Sequence, residues 1–201
     1  ARLGAAVLAA VAAASLCPAL MSPLGAVTSD PRKAMSQIPA WFEPSTQGTV
    51  FTSRGIRVSV AIDRRGAALS ASGREMRLSF PGSRPAAALE GLERQAATTQ
   101  YLLGNRRDAW RRNVAHFDRV AARGVYPGVD VVYYNNGRNL EYDLLVAAGA
   151  DASAIRLSFA GARPRIQADG SLRFDSEFVQ QAPVSYQERG GRRIAVESRY
   201  Q

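Results

Sequence analysis

Cysteine, histidine and lysine are nearly missing from this 201-residue chain: each occurs once, as Cys17, His116 and Lys33. One cysteine rules out an internal disulfide framework and a multi-cysteine zinc site. One histidine rules out a metal centre built from several imidazoles and leaves any Ser-His-Asp chemistry dependent on His116 alone. There is no Gly-x-Gly-x-x-Gly, no phosphate loop and no serine nucleophile elbow; Gly190-Gly191 is a lone pair that reads as a hairpin turn. No long apolar run occurs after the first two dozen residues. What is plentiful is apolar surface, 46% of residues, enough for a core and too much for a disordered chain.

The net charge is +9, and all but one of the 26 basic residues are arginine. They lie singly or in pairs, as in Arg64-Arg65, Arg106-Arg107, Arg111-Arg112 and Arg192-Arg193. A nucleic-acid footprint clusters its charge, so this spacing reads as a basic surface. Nucleic acid is therefore not an expected partner, and anionic envelope polymers or lipid headgroups are what a basic surface leaves open.

The front end has the layout of an export signal. Arg2 precedes an Ala-rich apolar stretch, Leu3 to Met21, interrupted by Pro18 and followed by Pro23 and the small residues Gly25-Ala26. The expectation is a cleaved signal helix over 1–26, the only membrane contact, and a polar tether over 27–38. Cys17 lies between Leu16 and Pro18, the wrong context for lipidation, so a mature chain cut near Ala26 has no thiol. No cofactor is expected. The chain starts at Ala1 and stops at Tyr200-Gln201, inside a strand-like run, so a fragment of a longer polypeptide is expected.

Beyond Ile38 the chain reads as short alternating runs separated by turns. Ile56 to Ile62 alternates strictly, the period of a half-buried strand. Asp63 to Gly66 is a turn, and Ala67 to Ala71 alternates again. Glu75 to Phe80, Val129 to Tyr134, Leu140 to Val146, Ile155 to Phe159, Arg165 to Ala168, Leu172 to Phe174 and Val184 to Gln187 follow, with Asn135-Asn136-Gly137 and Asp169-Gly170 as turn cues. Ala86 to Ala97 places Leu89, Leu92 and Ala96 at helical spacing, but Pro85 and Gly91 oppose a helix, and loop and strand is the preferred reading. Arg77 to Pro85 is echoed in Arg156 to Pro164, seven of nine positions agreeing. That raises two related β-units; the plainer reading is a common strand ending used twice. The fold class is an all-β, sandwich-like arrangement of antiparallel sheets over 39–201.

The run Gly124-Val125-Tyr126-Pro127-Gly128-Val129-Asp130-Val131-Val132-Tyr133-Tyr134 is distinctive. So is Leu140-Glu141-Tyr142-Asp143-Leu144-Leu145-Val146, followed by Gly149-Ala150-Asp151. With Tyr101, Gly104-Asn105 and Trp110 before them and Ala182 to Gln187 after, the order resembles the uncharacterised N-terminal domain of bacterial SBBP-type β-propeller repeat proteins and related cell-surface proteins. The opening departs from that pattern: Phe42-Glu43 is followed by Pro44-Ser45-Thr46-Gln47-Gly48, without the usual Asn. The resemblance implies a secreted or envelope module ahead of β-repeats, with those repeats as its partner, and brings no catalytic residues.

Candidate chemistry is sparse. His116 has Asp118 two residues on, sharing a face if both lie on a strand. Glu141 and Asp143 share a face about 6.5–7 Å apart, and Asp130 reaches the same region across the Asn-Gly hairpin. These three carboxylates are the candidates for Ca²⁺, and a carboxylate pair is also what glycoside hydrolysis requires. The competing reading is salt bridges, with Arg138 or Arg156, and turn bonds. Tyr126-Pro127-Gly128 reads as a turn with Asp130 capping nearby N–H groups. Trp41, Phe42, Trp110, Phe117, Tyr133, Tyr134 and Tyr142 supply either core packing or a sugar-stacking strip. The functional expectation is a non-catalytic capping or interaction module, with an envelope-polysaccharide binding module and a glycan-active enzyme as alternatives.

Overall fold

A computed structural model describes residues 16–18, 40–54, 58–86, 88–136, 139–175 and 178–201. In chain order the strands are β1 (Leu16–Pro18), β2 (Glu43–Pro44), β3 (Phe51–Arg54), β4 (Val58–Asp63), β5 (Gly66–Ala71), β6 (Arg74–Ser79), β7 (Ala88–Tyr101) and β8 (Arg111–Tyr126). Then follow β9 (Val129–Asn136), β10 (Asn139–Val146), β11 (Ser158–Ala160), β12 (Pro164–Ile166), β13 (Leu172–Phe174), β14 (Phe178–Gln180), β15 (Ser185–Arg189) and β16 (Arg192–Val196). One eight-stranded sheet runs β12-β13-β14-β1-β10-β9-β8-β7, a six-stranded sheet runs β11-β6-β5-β4-β3-β2, and β15-β16 form a separate ribbon. The named strand pairings are antiparallel throughout, as the alternation predicts.

The alternation decides which face of each sheet turns inward. Val60 and Ile62 of β4, Leu69 of β5 and Met76 and Leu78 of β6 are buried, as are Val131 and Tyr133 of β9 and Leu140, Tyr142 and Leu144 of β10. All of them belong to one apolar core shared by the two larger sheets, the packing of a β-sandwich. Phe80 meets Tyr142 edge-on across it, ring centres 6.5 Å apart. Gln180 is the polar strut of this core, its amide donating to the Tyr142 hydroxyl at 2.9 Å and to that of Tyr200 at 2.5 Å.

The expected signal helix over 1–26 lies outside the described residues except for Leu16–Pro18. Those three residues are extended, not helical, and pair with Leu140 on one side and with Phe178, Val179 and Gln180 on the other. An apolar run has no period that separates helix from strand, and pairing partners decide. The tether over 27–38 is also outside the described residues.

The two copies of the echoed segment are neighbours. Ser79 pairs with Ser158, and Leu78 with Phe159, so the copies run antiparallel about a local two-fold at the edge of the six-stranded sheet. Tyr126 seals this junction: its hydroxyl donates to the Pro81 carbonyl at 2.7 Å and accepts from the Arg156 N–H at 3.2 Å. The Tyr126-Pro127-Gly128 turn joins β8 to β9, with Gly128 at φ 71°, as a Pro-Gly turn of type II requires.

The segment with helical spacing is strand β7. Its pairing with β8 is long and interrupted by two register shifts, one of them at Asn113 (φ 54°), which takes a left-handed conformation, as does Glu93 (φ 55°) within the regular stretch. Gly91 explains the strand. A methyl group there would lie 2.6 Å from the ring of Phe117, so glycine leaves the space that this ring fills. Replacement of Gly91 by Ala is expected to destabilise the fold by about 1–3 kcal/mol through overpacking, read as a lower Tm in thermal denaturation followed by circular dichroism.

Candidate functional site

Two groups of polar side chains merit attention as sites. The first comprises the carboxylates that the sequence singles out. The β9–β10 register sets Asp130 opposite Leu145, Val132 opposite Asp143 and Tyr134 opposite Glu141, so all three carboxylates lie on one face. They share the face without converging. Asp130 accepts the Gly124 N–H at 2.7 Å and the Arg123 guanidinium at 3.0 Å. Arg123 also bridges to Glu90 at 2.9 Å. Asp143 accepts the Tyr134 hydroxyl at 3.0 Å, and Glu141 accepts the Asn136 amide at 2.9 Å. Arg119 also lies over this face, 5.2 Å above the Tyr134 ring. Of the expected neutralising arginines, Arg138 lies outside the described residues, and Arg156 bonds the carbonyls of Ser153 and Ile155. Among the described residues no group of three His, Cys, Asp or Glu side chains is placed to hold a metal ion.

Burial raises the Asp143 carboxyl above its ordinary range, against the lowering effect of the Tyr134 hydroxyl and of Arg119. The ionised form is therefore less at home in the fold than in the unfolded chain. The cost of Asp143 to stability is absent below the normal carboxyl range and grows as pH rises through it to the raised folded value. Asp143→Asn keeps an acceptor for Tyr134 without the charge. It is expected to raise Tm at pH 7, with the gain vanishing below about pH 4, as thermal melts across pH will show.

The second group was not assembled by sequence reasoning. Phe42 and Phe117 exchange backbone hydrogen bonds at 2.8 and 3.0 Å, tying the entry of β2 to the middle of β8. That pairing brings Glu43 under β7 and β8. One Glu43 oxygen accepts the Trp41 indole N–H at 2.9 Å and the Thr99 hydroxyl at 3.0 Å; the other accepts the Tyr101 hydroxyl at 2.5 Å. The His116 Nε2 lies 2.6 Å from the Thr99 hydroxyl and 3.4 Å from Glu43, while the Trp41 ring stacks on the imidazole at 4.4 Å. His116 and Glu43 side chains are only 5% and 12% exposed. The carboxylate partner of His116 is thus Glu43, distant in sequence, and Asp118 bonds Gln95 instead.

The bond directions fit one tautomer of the neutral imidazole. Thr99 donates to Glu43, so its oxygen is free to accept a proton from His116 Nε2, which leaves Nδ1 as a bare acceptor. That nitrogen is buried without a partner, and in this tautomer no N–H is stranded there. A carboxylate already taken by three donors, under an imidazole covered by an indole, is arranged as a clamp.

For Glu43, burial pushes the carboxyl upward, but the bonds from Trp41, Tyr101 and Thr99, with His116 nearby, outweigh it and hold the group below its usual range. The stability this contributes is complete above the unfolded carboxyl range and is lost as pH falls through the folded value. Glu43→Gln is expected to lower stability by roughly 1–3 kcal/mol at neutral pH, by weakening charge-assisted bonds. It also flattens the acid limb of the stability curve, as denaturant titrations at several pH values will show.

Of the seven aromatics that could have formed a sugar-stacking strip, Phe42, Tyr133 and Tyr142 are buried in the core. Phe117 packs against that core and Trp41 covers His116. A family model described as a domain of unknown function (DUF7948) matches residues 36–201. No curated protein and no solved structure matches the chain.

Proposed function

This chain belongs to the DUF7948 family of domains of unknown function, and we propose that it serves as a non-catalytic, exported module, a structural or interaction element of the cell envelope or surface placed ahead of β-repeat domains. The observation that carries this reading is the C-terminal ribbon. Strands β15 and β16 pair only with each other among the described strands, and Val184, Ile194 and Val196 at this ribbon are exposed. Its two ends are held together where the Ser198 hydroxyl donates to the Pro183 carbonyl at 3.2 Å, and Tyr200 then returns to Gln180 in the core. A two-stranded ribbon is marginal by itself, and exposed branched aliphatics on it invite a covering domain.

The state of the titratable groups supports the non-catalytic part. Asp130, Glu141 and Asp143 each have a local partner, and Glu43 and His116 are enclosed with theirs. The resemblance to domains that precede β-propeller repeats supplies the neighbour: a stack of β-repeats whose first sheet edge needs cover.

Hydrogen exchange tests the reading. In the 201-residue chain the β15–β16 amides exchange fast, and in a polypeptide continuing into β-repeats they slow by roughly a hundredfold or more. Equal exchange in the two would overturn the capping role. Turnover or tight binding of an envelope glycan with the ribbon still unprotected would favour the alternatives.

A further inference from the structure

The β7–β8 hairpin ends in a tip that no part of the sandwich uses. The last side chains tied back to the body are Tyr101, bonded to Glu43, and Arg111, which donates to the Pro44 carbonyl at 2.7 Å and lies over the Tyr101 ring. Between them Leu102 and Leu103 are 52% and 76% exposed. Adjacent leucines exposed this far are a departure from the buried leucines of β5, β6 and β10.

The rest of the tip is basic and ordered. Arg106, Arg107, Arg111 and Arg112 face one acid, Asp108, whose contact with Arg106 is long at 4.0 Å and exposed on both sides. Trp110 lies between Arg107 and Arg112, whose guanidinium carbons are 5.6 and 5.0 Å from its ring centre. Its indole N–H donates to the Gly104 carbonyl at 3.1 Å, which closes the loop. The short 3₁₀ turn Arg107–Ala109 buries none of its residues. Two exposed leucines where the loop leaves β7, a tryptophan where it rejoins β8 and four arginines are thus carried on one ordered loop.

We propose that this tip is an interfacial anchor for an anionic phospholipid bilayer. Two exposed leucines on a projecting loop cannot enclose a ligand, but they can enter a soft one, and acyl chains accept Leu102 and Leu103 while headgroup phosphates pair with the arginines. An indole on the same loop suits the membrane interface. A polynucleotide would take the charge and leave the leucines in water, so charge and apolarity together select the lipid surface. The contact is superficial: no described helix is long and apolar enough to cross a membrane. It adds a second membrane contact to the one expected of the N-terminal stretch, and it stands whether or not the module caps β-repeats.

The full chain is mixed with vesicles of phosphatidylcholine, with and without phosphatidylglycerol, some carrying brominated acyl chains. The expected result is binding that depends on phosphatidylglycerol and weakens at high salt, with Trp110 fluorescence quenched by bromine and that quenching lost in Trp110→Phe. The pair Leu102→Asp and Leu103→Asp weakens partitioning by roughly a hundredfold, and Arg107→Gln with Arg112→Gln by roughly tenfold, with melting temperatures unchanged. Binding that the tip variants do not alter would assign it to the apolar N-terminal stretch and overturn the proposal. So would unquenched Trp110, or equal binding to neutral vesicles. Tip-dependent capture of a soluble glycan or protein without vesicle binding would also overturn it.

Discussion

A single carboxylate holds the two large sheets together at one end of the sandwich. Glu43 lies on β2, the edge of the six-stranded sheet, yet its donors Thr99 and Tyr101 lie on β7, the far edge of the eight-stranded one. Burial disfavours its charge; three hydrogen bonds and a nearby imidazole restore it. Such a group stabilises only one geometry, because any displacement of β7 leaves a buried charge short of donors. The backbone exchange between Phe42 and Phe117, the stacking of Trp41 on His116 and the closeness of Phe117 to Gly91 all require β2 to sit where Glu43 holds it.

That clamp also defines what extends outward. β7 ends at the Glu43 bonds and β8 begins at the Arg111 contact with Pro44, so the loop from Leu102 to Trp110 leaves the body just beyond the clamp. At the opposite end of the chain Gln180 does similar work, receiving Tyr142 from the core and Tyr200 from beyond the β15–β16 ribbon. The molecule is a body closed by two internal polar struts, with two ribbons leading away from them. Between these, the carboxylates of β9 and β10 form a row of local pairs along an outer face.

The sheet architecture was legible because it depends on period-two alternation, which Leu140, Tyr142 and Leu144 display without ambiguity. β7 was harder. Leu89, Leu92 and Ala96 satisfy a helical period, and only Gly91 and Pro85 opposed it; the deciding fact, a ring filling the space above Gly91, is a contact with another strand. The His116 partner was illegible for the same reason. Asp118 is near in sequence, whereas Glu43 arrives through a pairing across more than seventy residues, and no local pattern encodes it. The one cue was Phe42-Glu43 at the opening of the familiar motif order. Leu16–Pro18, from the apolar stretch expected to be a leader, is extended and lies between β10 and β14, outside the residues 36–201 that the family model matches.

The most direct test of the clamp is nuclear magnetic resonance of the side-chain protons around Glu43 at neutral pH. Hydroxyl protons of Thr99 and Tyr101 that exchange slowly enough to be seen, with His116 protonated on Nε2 and bare on Nδ1, are what a closed structural node predicts. Rapidly exchanging hydroxyls, with an imidazole that responds to added small nucleophiles or sugars, would show an open site and contradict the account.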